Sequence, residues 1–406
     1  MTFWRLSVLA RYPDFRRLFV GNSVSLLGSS VTAVALPLTA VVYLHAAPAQ
    51  LGVLGALAFA PQLVLGLPAG VWVDRLPYRR VLVLADLAQA LLVGSIPVLA
   101  LFGALRLWHL YIVVLLTGAA NLFETVTAQS FTPALVSRDD LLPANSALMV
   151  SNASVNTAGS AVGGLLVVLL TAPIAIAVDA VSFLVAGLTK ARIQVAGGAS
   201  SVRPKNLWVG VFEGLRAVFG HRTIRAVTIA ATVGALAGQM QNVVLVFYLV
   251  RTLDFPPGLV GVVIAIAGGA GILGALLATP ITRRIGPGRA FITGLGVAAA
   301  AGLLVAGPFV VLVLASQLFR GAGPSLYGVN QQTFRQALIA PELLSRANAT
   351  WRFLVYGTQT LGALLGGVLG SVASARVTLL VSGGAMALAT AIALFSPLRH
   401  RTVQAG

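Results

Sequence analysis

Five ionisable residues stand inside long apolar runs of this chain: Asp86, Glu124, Asp179, Arg320 and Arg352. Charge is costly to bury there, so each marks a site or pathway until shown otherwise. The chemistry open to the three acids is proton carriage. A carboxylate holds a proton when its surroundings dry out or lose a cation, and releases it when either returns. Glu124 is the first candidate for that work because of its depth in the run, and Asp179 is the second. Glu124 and Arg352 lie at similar depth, so an ion pair between them is open. Further polar residues fall mid-run: Asn22, Ser25, Asn121, Asn152, Asn156, Gln239, Asn242, Gln317, Tyr356 and Gln359. With Arg320 and Arg352 they are candidates to line a cavity, although such residues also bond helix to helix. As a group they describe a mildly polar, largely apolar chamber, suited to amphipathic organic molecules more than to sugars or phosphates.

Other chemistries find no support. The histidines (His45, His109, His221, His400) fall at run ends or in loops, with no H-E-x-x-H and no metal-ligand spacing. Cysteine is absent, which removes disulfide and thiol chemistry. No G-x-x-x-x-G-K-[ST] loop offers ATP binding. The expectation is no enzyme, no cofactor and no metal.

The elements that must position these residues follow from composition. The 406 residues are 58% hydrophobic and 9% charged, with mean hydropathy +0.94. A soluble domain carries roughly 25% charged residues, so this chain reads as a polytopic membrane protein. A spanning helix needs about 20 apolar residues. Runs of that length fall near 18–44, 51–73, 81–104, 109–132, 143–170 and 173–193, then 224–250, 258–282, 289–308, 310–334, 346–373 and 376–397. The fold class is therefore all-α, with twelve transmembrane helices. The division at Gly307-Pro308 is the least marked. The first run reads as a retained span rather than a cleaved signal.

The net charge of +17 points to loop arginines rather than to nucleic acid. Only Arg106, Arg251 and Arg376 fall in one alternate set of loops. Nearly all other cations, Lys190 among them, fall in the opposite set. That asymmetry predicts a cell-membrane protein with both termini cytoplasmic. Three domains are expected: a six-helix bundle over 1–193, a cytoplasmic linker over 194–222, and a second bundle over 223–406. Within the linker, Leu207, Val211, Leu215 and Val218 recur at helical spacing and predict an amphipathic helix on the membrane surface.

The halves repeat. Laid on 331–367, residues 128–164 match Phe131 with Phe334, Ala144-Asn145 with Ala347-Asn348, Gly159 with Gly362, and Gly163-Gly164 with Gly366-Gly367. Two like-oriented bundles are a transporter plan, in which two similar bodies rock about a shared site. The glycines Gly159, Gly163 and Gly164 are spaced to let helices approach closely.

One stretch, GVWVDRLPYRR (70–80), packs charge between two apolar runs. It resembles the loop signature of the major facilitator superfamily, with Pro77 where a glycine is usual. GSAVGG (159–164) is similar to the antiporter signature of helix five, with Ser160 in place of proline. NSVSLLGSSVTAVALPL (22–38), TPALVSRDDLLPANS (132–146) and VDAVSF (178–183) look like the drug:proton antiporter branch that includes macrolide and siderophore exporters. The resemblance implies two pseudo-symmetric six-helix bundles and proton-coupled efflux of amphipathic small molecules by a monomer in the lipid bilayer. It also implies a conformational gate at Gly70, Asp74, Arg75, Arg79 and Arg80, and a structural role for Asp179; Asp86, a turn or two inside the cytoplasmic end of its run, is expected with that network rather than the pathway. The alternatives are an importer of a nutrient or siderophore, a non-transporting sensor, and a membrane-embedded enzyme.

Overall fold

A computed structural model describes residues 8–73, 75–195, 207–307 and 309–400. These residues form helices and turns, with no strand among them. The first six long helices are α1 (Pro13–Leu38), α2 (Pro48–Val73), α3 (Tyr78–Leu101), α4 (Leu107–Leu135), α5 (Leu141–Leu170) and α6 (Ala172–Ala191). A shorter helix, α7 (Leu207–Gly220), follows. Then come α8 (Arg222–Phe247), α9 (Pro257–Ile285), α10 (Pro287–Val305), α11 (Val310–Leu338), α12 (Pro341–Val372) and α13 (Ala375–Leu394). Among the described residues, ten helices are long and apolar enough to cross a membrane. The other two long helices, α5 and α11, run 30 and 29 residues and carry several polar side chains. Leu84, Leu91, Leu169, Leu188 and Leu276 point outward and are exposed, a surface that suits acyl chains rather than water.

The chain divides into two compact units. The first holds residues 1–45 and 60–203; the second holds 46–59 and 204–406. The same packing recurs in each. In the first unit α1 packs on α5 and α6, and α3 on α4 and α6. In the second α8 packs on α12 and α13, and α10 on α11 and α13. Backbone irregularities repeat as well. Both α1 and α8 run on into a five-residue π turn, Thr39–Tyr43 and Tyr248–Thr252. Each turn is followed two residues later by a left-handed residue, His45 (φ 53°) or Asp254 (φ 54°). A π turn is rare, so its recurrence at matched places supports duplication independently of residue identity.

The glycines of the repeat act as spacing predicts. A Cβ on Gly163 would lie 2.9 Å from the Cα of Val31, and one on Gly366 would lie 2.8 Å from the Cα of Met240. Helix α5 thus seats against α1 as α12 seats against α8. The least marked boundary also holds. Helix α10 ends at Val305, and Arg376 Nε donates to the freed Ala306 carbonyl at 2.9 Å. The amphipathic helix is present as α7, but it packs on α12 rather than lying apart. Val218 is fully buried among Ile224, Val227, Phe291 and Phe334. Glu213 pairs with Arg346, and a Cβ on Gly214 would meet the Arg346 carbonyl oxygen at 2.7 Å.

Candidate functional site

Three helices of the first unit turn polar stripes toward one cavity of about 400 Å³. Helix α1 contributes Asn22, Ser25 and Ser29; α4 contributes Asn121, Glu124, Thr125 and Thr132; α5 contributes Asn145 and Asn152. Each set follows the three-to-four-residue spacing that aligns side chains on one helix face. Four residues singled out from sequence, Asn22, Ser25, Asn121 and Asn152, therefore share one wall with Glu124. Leu26, Leu148, Met149 and Phe183 supply the apolar part. Serines and threonines on the same stripes join the amides, within a wall whose larger share is apolar. The buried Oδ1 of Asn22 has no hydrogen-bond partner among the described residues.

Behind the Glu124 carboxylate lies a buried ion cluster. The Lys190 ammonium donates to Glu124 Oε1 at 2.6 Å. It stands 3.1 Å from Asp86 Oδ1 and 3.0 Å from Asp86 Oδ2. Gln89, one turn beyond Asp86 on α3, donates to the other Glu124 oxygen at 2.9 Å. Lys190 and Asp86 are fully buried, whereas the Glu124 side chain is 10% exposed. Glu124 is thus the member that meets the cavity, and Lys190 bridges it to Asp86. Small residues make this possible. A Cβ on Gly21 would press to 3.1 Å on both Cγ and Cε of Lys190, and one on Gly187 to 3.2 Å on the Cβ of Asp86.

Lys190 is the residue that sequence reasoning missed; it was counted among loop cations. It occupies the last turn of α6. Side chains tilt toward the helix N-terminus, so a lysine there can reach back into the bundle. One signal existed: Asp179, Phe183, Ala186 and Lys190 repeat at helical spacing on the buried face of α6. Asp86 is corrected too. It was expected with the loop charges, yet α3 turns it inward to Lys190, away from the exposed Arg75, Arg79 and Arg80. Within its own unit Glu124 is held by Lys190, and Arg352, in the second unit, is exposed.

Asp179 is buried, and its Oδ1 accepts from Ser29 at 3.4 Å and Ser182 at 3.3 Å. Of the loop signature, Gly70 lies in the last turn of α2, and Asp74 falls outside the described residues. Arg79 Nη1 donates to the Ile193 carbonyl at 2.9 Å, just past the end of α6. Asn156 lies on α5, its side chain outside the description.

The second unit groups its candidates differently. Arg320 Nη2 donates to Asn242 Oδ1 at 2.7 Å, and its Nη1 reaches Gln317 Oε1 at 3.4 Å. Neutral amides solvate this guanidinium; no carboxylate pairs with it among the described residues. Tyr356 stacks on Phe59 with ring centroids 6.1 Å apart. Gln239 and Gln359 are half-buried.

Comparisons with known proteins match this architecture. Two relatives named multidrug efflux pump Tap are 29% identical to this chain. The one from Mycobacterium tuberculosis aligns over 91% of this chain and 90% of its own length. The one from Mycolicibacterium fortuitum aligns over 83% and 84%. Among solved structures, a bacterial homologue of the iron transporter ferroportin gives a TM-score of 0.74 at 18% identity, covering 96% of this chain and 99% of its own. The nucleoside transporter NupG gives 0.74 at 13% identity, covering 94% and 98%. These likenesses show the fold. A family model described as transmembrane secretion effector matches residues 7–405. The relatives transport molecules rather than convert them. The chain is thus a multi-pass membrane transporter of the transmembrane secretion effector family, within the major facilitator superfamily.

Proposed function

We propose that this chain is a proton-driven exporter of amphipathic small molecules, with both termini in the cytoplasm. The observation that carries the reading is Glu124, a carboxylate that lines a cavity and is wired to a buried ion cluster. Such a group can exchange a proton with the cavity while the charge behind it stays compensated. The similarity to multidrug efflux pumps over nine-tenths of the chain supports the outward direction. The mixed lining, apolar in the main with amide and hydroxyl groups set into it, favours amphipathic cargo.

The test is transport in inverted membrane vesicles under an imposed pH gradient, with and without an uncoupler. Uptake of a fluorescent amphipathic cation should collapse with the gradient. Glu124→Gln should abolish uphill transport while leaving the protein folded. Full gradient-driven transport by Glu124→Gln would refute Glu124 as the carrier.

A further inference from the structure

We infer that Lys190 is the resident counter-cation of Glu124 and that Asp86 is its second anchor, so that a proton arriving on Glu124 hands the ammonium over to Asp86. The inference rests on the proposed role of Glu124 and adds two positioning residues to it. The geometry has the needed asymmetry. Glu124 faces the cavity, Asp86 is sealed, and Lys190 touches both. Asp86 presents both oxygens to the ammonium at near-equal distance. The ammonium therefore keeps a full partner when Glu124 lets go.

Charge explains why both acids are present. With all three groups ionised the cluster carries one net negative charge. A proton on Glu124 forms an O–H bond and breaks the Lys190–Glu124 ion pair. Lys190 keeps its own protons and stays paired with Asp86, so the cluster becomes neutral and no ion is stranded. Without Asp86 the same proton would leave a buried ammonium alone, which is strongly unfavourable. The other elements around the cluster do not change this count. Helix α5 has no charged residue. The charges of α1 lie at its start, where Asp14 pairs with Arg17 and accepts from Gln194 and Val195 backbone N–H groups. Arg79 and Arg80 of α3 are exposed, and Asp179 of α6, three turns from Lys190, is held by Ser29 and Ser182.

The experiment measures uphill transport against pH in proteoliposomes, each variant normalised to its own exchange rate at equal pH on both sides. Asp86→Asn should move the half-maximal point to lower pH by about one unit or more, because protonation of Glu124 now strands Lys190. The double variant Asp86→Asn/Lys190→Met should move it the opposite way, because Glu124 then has no cation to release. Two shifts of opposite sign are the signature, and a merely structural role would lower activity without producing them. Shifts of the same sign, or none, overturn the inference while Glu124→Gln still abolishes uphill transport. If Glu124→Gln retains uphill transport, the proposed function fails and this inference fails with it. Should Asp86→Asn not fold, infrared titration of the purified wild-type protein reads the same point. One buried carboxylic C=O band, absent from Glu124→Gln, should appear on acidification. Two such bands appearing together would overturn the handover.

Discussion

Replacing Lys190 with methionine separates what the ion cluster does for stability from what it does for transport. At an effective permittivity of about 20, unit charges 2.6 Å and 3.0 Å apart attract by about 6 and about 5.5 kcal/mol. The two acids, held within about 6 Å of each other by one ammonium, repel by about 3 kcal/mol. The net attraction of about 9 kcal/mol is offset by desolvation of three ions at several kcal/mol each. The intact cluster is therefore close to balanced. Lys190→Met removes both attractions, leaves the repulsion, and strands two acids that must take up protons. The expected loss is about 3–5 kcal/mol, typical of breaking a buried pair from one side. The triple variant Asp86→Asn/Glu124→Gln/Lys190→Met carries no charge and should recover to within about 1 kcal/mol of wild type. Thermal unfolding of the purified protein in detergent reads both. Two results would refute the reasoning: wild-type stability in Lys190→Met, or a triple variant no more stable than the single one.

Three further substitutions test other parts of the first unit. Gly163→Leu should cost about 1–3 kcal/mol by forcing α5 off α1, whereas Gly66→Ala, with nothing within 4 Å of the added Cβ, should unfold at the wild-type temperature; equal behaviour of the two would count against the packing role. Asp179→Asn keeps an acceptor for Ser29 and Ser182, so it should hold pH-driven transport and lose at most about 1.5 kcal/mol. Loss of that transport with stability intact would move proton carriage from Glu124 to Asp179.

The ten membrane-length apolar helices among the described residues were legible because each needs an apolar run of a fixed length, and such runs are local. The α10–α11 break was legible at Gly307-Pro308 for the same reason. Asn22, Ser25, Asn121 and Asn152 were legible as candidates because a polar side chain within a span either lines a cavity or bonds to a neighbouring helix, and the structure puts all four on one cavity wall. Lys190 was not, because in the sequence it stands at the edge of a span, where most cations belong to a loop. Asp86 was misplaced for the matching reason: distance along the chain measured its depth, while rotation about the α3 axis decided its partner.

The sequence by itself determined the class of the protein: a duplicated all-helical membrane transporter, with carboxylates set inside its apolar spans. Apolar length, loop charge and repeated small residues are properties of one chain read in order, and they suffice for that. Only the tertiary structure decided which charges meet. Helix rotation, the room left by Gly21 and Gly187, and the backward reach of a last-turn lysine bring Asp86, Glu124 and Lys190 from three separate helices onto one point. Pair energies depend on separations of a few ångströms across helices, which no spacing along the chain encodes.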